Sequence, residues 1–133
     1  MKPSVLRLLL ASFALLYFAT SASAHHSFAA TFDADKPVTV KGVITQIRLE
    51  NPHSWFFLEV KDAAGNVEKW AFEAGTPSGM IHNGFKPGLI KAGTEVTIKG
   101  IRARDASQKV GLLRELITPD GKNYGTFGSE QAK

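Results

Sequence analysis

The feature that most restricts the fold of this chain is an alternation of period two that recurs in short runs. Phe56, Leu58 and Val60 share one phase of residues 54–61. Trp70 and Phe72 share one phase of residues 67–74, and Val96 and Ile98 repeat the pattern within residues 94–103. Successive side chains of a strand point to opposite faces, so such runs read as strands with one face in a core. Two more strands are expected at 38–49 and 110–118. In the first of these, Val38 and Val40 share one phase while Val43, Ile47 and Leu49 share the other. The phase changes at Gly42, which predicts a β-bulge or sharp bend at that residue.

Turn residues separate the runs. Asn51-Pro52 ends the first, because proline cannot donate to a ladder. Asp62-Ala63-Ala64-Gly65-Asn66 reads as a hairpin turn, and Pro119-Asp120-Gly121 as another, with a short return strand over 122–126. Residues 77–83 suit a short helix, with Thr76 as its cap, Pro77 at its first position and Gly84 as its stop. The order is three strands, a short helix, then two strands. This predicts an all-β fold: a small five-stranded OB-like Greek-key barrel with one short helix between strands three and four. A twelve-residue first strand is about 40 Å long, enough to bend and serve both sides of a barrel. Another small barrel or a sandwich is the alternative. Phe56 and Trp70 are expected in the core.

Residues 1–24 read as a secretory signal peptide. Lys2 and Arg7 precede an uncharged stretch, Leu8–Ala19, and Ala22-Ser23-Ala24 supplies small residues for cleavage. That stretch is too short and wrongly flanked to span a membrane. The expected organisation is then a signal peptide at 1–24, an N-terminal arm at 25–37, an OB-like barrel at 38–127 and a disordered tail at 128–133. In the arm, Phe28, Ala30 and Phe32 alternate with Ala29, Thr31 and Asp33, which predicts an extended segment docking one side. Without Lys2 and Arg7, the 16 Lys+Arg of the chain fall by two against 12 Asp+Glu. The basicity is therefore largely a targeting feature, and no nucleic-acid partner is expected. The sequence contains no cysteine. That excludes a disulfide scaffold, a thiol nucleophile and an iron–sulfur site, and it suits a bacterial periplasm better than a eukaryotic extracellular space.

Three segments carry a resemblance: His25-His26-Ser27-Phe28, Asn51-Pro52-His53-Ser54-Trp55, and Lys91-Ala92-Gly93-Thr94-Glu95-Val96. Together they resemble a family of small secreted bacterial proteins classed as a domain of unknown function, with HHSF after the signal peptide and an internal NPH followed by an aromatic. The resemblance covers nearly the whole mature chain. It implies a secreted address and brings no activity with it.

Chemistry must therefore come from the residues, and the histidines are the most informative. Cleavage after Ala24 would make His25 the mature N-terminus, where amine and imidazole can chelate one metal. A third nitrogen, from His53, would complete a histidine brace suited to copper. Cleavage after Ala22 would instead place His25 third, giving the square-planar nitrogen set that suits Cu(II) or Ni(II). His25, His26 and His53 are thus the candidate metal ligands and copper the candidate ion. His82 reads as a surface residue. The competing reading makes the first two histidines polar residues at a cut site and His53 a turn residue.

No nucleophile elbow, P-loop, GxGxxG or HExxH motif is present. Glu50 and Glu73 read as solvated surface carboxylates. Lys99, Arg102 and Arg104 read as a charged strand edge that discourages sheet pairing, with anion binding as the lesser alternative. Trp55 and Phe57 occupy the non-core phase of the second strand, where an OB-fold commonly presents its ligand platform. They are expected either to bind a ligand or to lie under the docked arm. The function expected is an exported periplasmic binding protein, not an enzyme, that takes copper through an N-terminal histidine site. The alternative is an interaction module that holds a partner protein or envelope glycan on its aromatic face, with the histidines incidental.

Overall fold

A computed structural model describes residues 28–124. Its elements, in chain order, are a helical turn α1 (Phe28–Thr31), strands β1 (Phe32–Arg48), β2 (Trp55–Lys61) and β3 (Val67–Glu73), helix α2 (Pro77–His82), and strands β4 (Glu95–Ala103) and β5 (Val110–Ile117). Strands β1, β2 and β3 form consecutive antiparallel pairs. Strand β5 then joins β3 in parallel and β4 in antiparallel fashion, and β4 pairs back with β1. The order β1-β2-β3-β5-β4 closes into a barrel.

Closure depends on the length of β1. Its stretch up to Val43 pairs with β4, and its stretch from Val43 pairs with β2. The strand runs for 17 residues and starts within the expected arm. Residues 28–31 form a helical turn rather than the extended segment expected, and the Thr31 carbonyl accepts a hydrogen bond from the Arg104 amide at 3.0 Å. The phase change also falls elsewhere than expected. Val38, Val40, Gly42 and Ile44 all lie on the inner phase, and the register slips between Ile44 and Gln46. Thr45 is the extra residue, and only beyond it does Ile47 turn inward. Val43 stays 40% exposed. Gly42 serves another purpose: a Cβ there would lie 2.5 Å from the Glu59 carbonyl oxygen and 2.8 Å from a Val60 methyl. It allows close approach of β2.

The inner face carries Ile44, Phe56, Leu58, Phe72, Val96, Ile98, Leu113 and Leu116, all at most 1% exposed. Phe56 and Trp70 are in the core, as their phases require. One mouth of the barrel is stopped by Met80, Phe85, Ile90 and Tyr124. Phe85 meets Phe56 edge-on at 5.8 Å and Tyr124 at 6.4 Å, geometries favoured by the ring quadrupoles. Helix α2 forms as its sequence dictates. Pro77 opens it, and Thr76 Oγ1 accepts from the Gly79 amide at 3.1 Å. Of the expected return strand over 122–126, the described residues 122–124 show one bridge, Ile117 with Asn123, and the Tyr124 amide donates to the Leu116 carbonyl at 2.9 Å; residues 125 and 126 lie outside the described residues. The expected tail at 128–133 lies outside the described residues.

Strand β4 is not an edge, contrary to the expectation for Lys99, Arg102 and Arg104, because it has a neighbour on both sides. Each of the three cations is engaged. Lys99 pairs with Glu115 at 3.5 Å and Arg104 with Asp33 at 3.9 Å. The Arg102 guanidinium lies 5.4 Å above the Trp70 ring and donates to the Ala106 carbonyl at 2.8 Å.

Candidate functional site

The connection from β1 to β2 turns through Asn51-Pro52, whose peptide bond is cis. Ser54 then resumes pairing. Its amide donates to the Gly75 carbonyl at 3.0 Å, and its carbonyl accepts from Ala74 at 2.8 Å. His53 is thereby fixed just before the strand, with Nδ1 2.5 Å from Glu73 Oε1. The His53 side chain is 34% exposed and that of Glu73 15%. Burial pushes the Glu73 carboxyl above the usual carboxylate range, and the neighbouring His53 opposes that rise without cancelling it. Glu73 is thus not the solvated surface group its sequence context predicts. Glu50 does remain largely exposed, with Arg48 Nε 3.8 Å away.

The hairpin register carries this pair onto the aromatic face. Trp55 lies opposite Glu73 on β3 and opposite Arg48 on β1. Phe57 lies opposite Ala71 and Gln46 in the same way. Directly paired residues share one face of a sheet. The outer surface of β1, β2 and β3 therefore presents Arg48, Trp55 and Glu73 in one row, with His53 at its end. The Trp55 and Phe57 rings are 6.3 Å apart and inclined by only 24°. The Arg48 guanidinium sits 4.8 Å from the Phe57 ring centre, within the range of a cation–π contact.

Both aromatic rings remain half-buried. Phe32, Phe56, Trp70, Phe72, Phe85 and Tyr124, the other aromatic residues between 30 and 124, are all buried. The expectation that the docked arm covers the platform can be checked at Phe32. That side chain packs with Ile101, Leu112 and Val110, in a cluster that includes neither Trp55 nor Phe57.

Of the candidate ligands, His25 and His26 lie outside the described residues. His82 is exposed in the last turn of α2. Among the described residues no group of three or more His, Cys, Asp or Glu side chains comes together to hold a metal. His53 with Glu73 is a pair. Sequence reasoning missed Glu73 as its partner, although counting outward from the Asp62–Asn66 turn places Glu73 across from Trp55, next to His53.

A model of a family of unknown function, DUF6152, matches residues 14–113. The chain belongs to the DUF6152 family. The matched range takes in β1 to β4, the His53–Glu73 pair and both platform aromatics. No curated protein and no solved structure matches the chain. Among the described residues, no helix of this DUF6152 protein is long and apolar enough to cross a membrane.

Proposed function

We propose that this DUF6152 protein is an exported periplasmic binding module, an OB-like barrel that holds a partner protein or an envelope glycan on the outer face of β2 and β3. One observation carries the reading: Trp55 and Phe57 stand outside the core, their rings nearly parallel, on a face that Phe32 does not cover. Flat, half-buried rings on an outer face offer apolar contact at little entropic cost. The rims of the platform, Arg48 on one side and Glu73 with His53 on the other, add the directional polar contacts that orient a ligand. Parallel β3–β5 pairing and a helix between β3 and β4 support the OB-like description, in which this face is a common ligand platform. The export address rests on the sequence of residues 1–24.

The test uses the emission of Trp55 in a Trp70→Phe background. Adding soluble peptidoglycan fragments, or a purified envelope partner, should shift and quench that emission in a saturable manner. Phe57→Ala should weaken the response. An unperturbed Trp55, with binding detected by calorimetry elsewhere on the molecule, would refute the assignment of this face.

A copper reading stands second, favoured by the contact of Glu73 with His53 Nδ1. A carboxylate on one ring nitrogen orients the other toward a metal. His53 would then supply Nε2, and His25, with or without His26, would complete a site formed on cleavage. Titration with Cu(II) of wild type, His25→Ala, His53→Ala and a chain extended by one residue ahead of His25 tests this. Loss of affinity in all three variants supports a shared site, and its weakening toward acid pH would follow from proton competition. Equal binding by all four would leave the histidines incidental.

A further inference from the structure

The aromatic face withholds its main chain from a ligand. From Trp55 to Glu59, β2 is paired with β1 on one side and β3 on the other. Even beside the bulge in β1, the Phe57 carbonyl accepts a bond from Thr45 Oγ1 at 3.2 Å. A peptide laid flat on these rings would bring one N–H and one C=O per residue, and would find no free main-chain partner on β2 between Trp55 and Glu59. Burying such groups unpaired is costly. The face suits a ligand whose flat sides are C–H and whose polar groups lie around its edge. A pyranose is built in that way. Its C–H groups meet the negative face of an aromatic ring, and its hydroxyls project sideways. It is also rigid, so little freedom is lost on binding.

The polar groups around the rings suit hydroxyls better than a net charge. Register sets Arg48, Trp55 and Glu73 side by side. The guanidinium only donates, and the Glu73 carboxylate accepts. A hydroxyl does both, so a sugar stacked on Trp55 can be held at one edge by Arg48 and at the other by Glu73. Contact of the Arg48 guanidinium with the Phe57 ring, 4.8 Å from its centre, keeps those donors beside the platform. One row beyond Phe57, Glu59 lies opposite Lys69, and both are exposed. Opposite signs therefore share each of these rows. A cationic ligand covering the rings meets Arg48 and Lys69, and an anionic one meets Glu59 and Glu73. Charge complementarity thus favours a ligand with no net charge.

Trp55 and Phe57 are alternate residues of β2, with 6.3 Å between ring centres. They form a strip in line with the strand and offer one ring to each of two consecutive sugar units. Ala71, opposite Phe57, adds only a methyl group beside that strip. We propose, resting on the assignment of this face as the binding face, that its ligand is an uncharged oligosaccharide. Its consecutive pyranose rings lie along β2 on Trp55 and Phe57, and its hydroxyls meet Arg48 and Glu73.

The experiment is calorimetric titration of the full chain with three tetramers that differ in charge: N-acetylglucosamine, its de-acetylated glucosamine counterpart and galacturonate. A slightly acidic buffer keeps the glucosamine amines protonated. The neutral tetramer should bind in a saturable manner, and each charged one at least about tenfold more weakly. Trp55→Ala should weaken binding of the neutral tetramer by about tenfold or more. Trp55→Phe, which keeps a flat ring, should retain most of it. Arg48→Gln should narrow the gap between the neutral and the cationic tetramer, a change of selectivity that a loss of folding does not produce. No binding of the neutral tetramer, equal or tighter binding of a charged one, or a selectivity that Arg48→Gln leaves unmoved would overturn the ligand class. The face itself would survive those results if a protein partner still quenched the Trp55 emission. Binding of the neutral tetramer that persists undiminished in Trp55→Ala would refute the face and the class together.

Discussion

Two parts of the outer barrel surface have opposite fates. Over β4 and β5, Phe32 from the start of β1 joins Ile101, Leu112 and Val110, and the apolar patch is buried by the chain itself. Over β2, Trp55 and Phe57 receive no such cover among the described residues. The same strand, β2, buries Phe56 and Leu58 completely on its other face. A barrel of this size gains its stability from the inner face and from the self-covered outer patch. The aromatic pair, half-buried and outside the core, is expected to contribute less to folding than the sealed inner face.

Mutation can break this contrast or sharpen it. The largest effect is expected inside: Phe56→Ala should cost about 3–5 kcal/mol, the loss typical of a fully buried aromatic. Urea denaturation would check it, and a loss below about 1 kcal/mol would mean that the face is not sealed. Phe32→Ala should cost about 3 kcal/mol, at the low end of that range because its cluster is small. A Phe32→Ala cost close to that of an exposed residue would erase the distinction between the two outer patches. Trp55→Ala should change stability by no more than about 0.5–1 kcal/mol in the same assay. A larger loss would show that the platform is structural.

The finest effect concerns pH. Burial raises the Glu73 carboxyl above its ordinary value, so the folded state holds its proton more tightly than the unfolded state does. The stabilising contribution is fully present below the unfolded-state value near 4.3 and is lost as pH rises through the raised folded value. Glu73→Gln removes that titration. Wild type should therefore lose ground to the variant across this window, measured as the difference between their melting temperatures from acid to neutral pH. A difference that stays constant with pH would mean that burial does not govern this carboxyl.

Much of the fold was legible because period-two alternation survives wherever one face is buried and the other is not. The phases of β2, β3 and β4 followed from Phe56, Trp70 and Val96 alone. The bulge in β1 was not legible, because Thr45 and Gln46 are polar and carry no phase, so the only visible irregularity was Gly42. Gly42 is explained instead by the approach of β2, which no local pattern encodes. The turn at 28–31 likewise depends on Arg104, far away in sequence. At the candidate site, His53 and the two aromatics could be singled out by type and phase. Glu73 was missed because a carboxylate at a strand end looks solvated by type, and only the register counted out from the Asp62–Asn66 turn brings an imidazole to it. His25 and His26 lie outside the described residues, and the geometry of this region adds nothing to their reading.

The closing seam of the barrel limits the way a partner can be held. Strand β3 meets β5 only over Ala71–Glu73 and Val110–Leu112. Across the remaining length of β3, Lys109 guards the seam: its carbonyl accepts from the Ala71 amide, and its ammonium pairs with Glu68 at 2.8 Å. Strand β1 also has its two neighbours over different stretches, β4 up to Val43 and β2 from Val43 on. An extended peptide adding to β3 at this seam would have to displace that ion pair, so recognition through main-chain hydrogen bonds is disfavoured there. A ligand held on the proposed platform would then be grasped by side chains, ring against apolar surface and charge against charge.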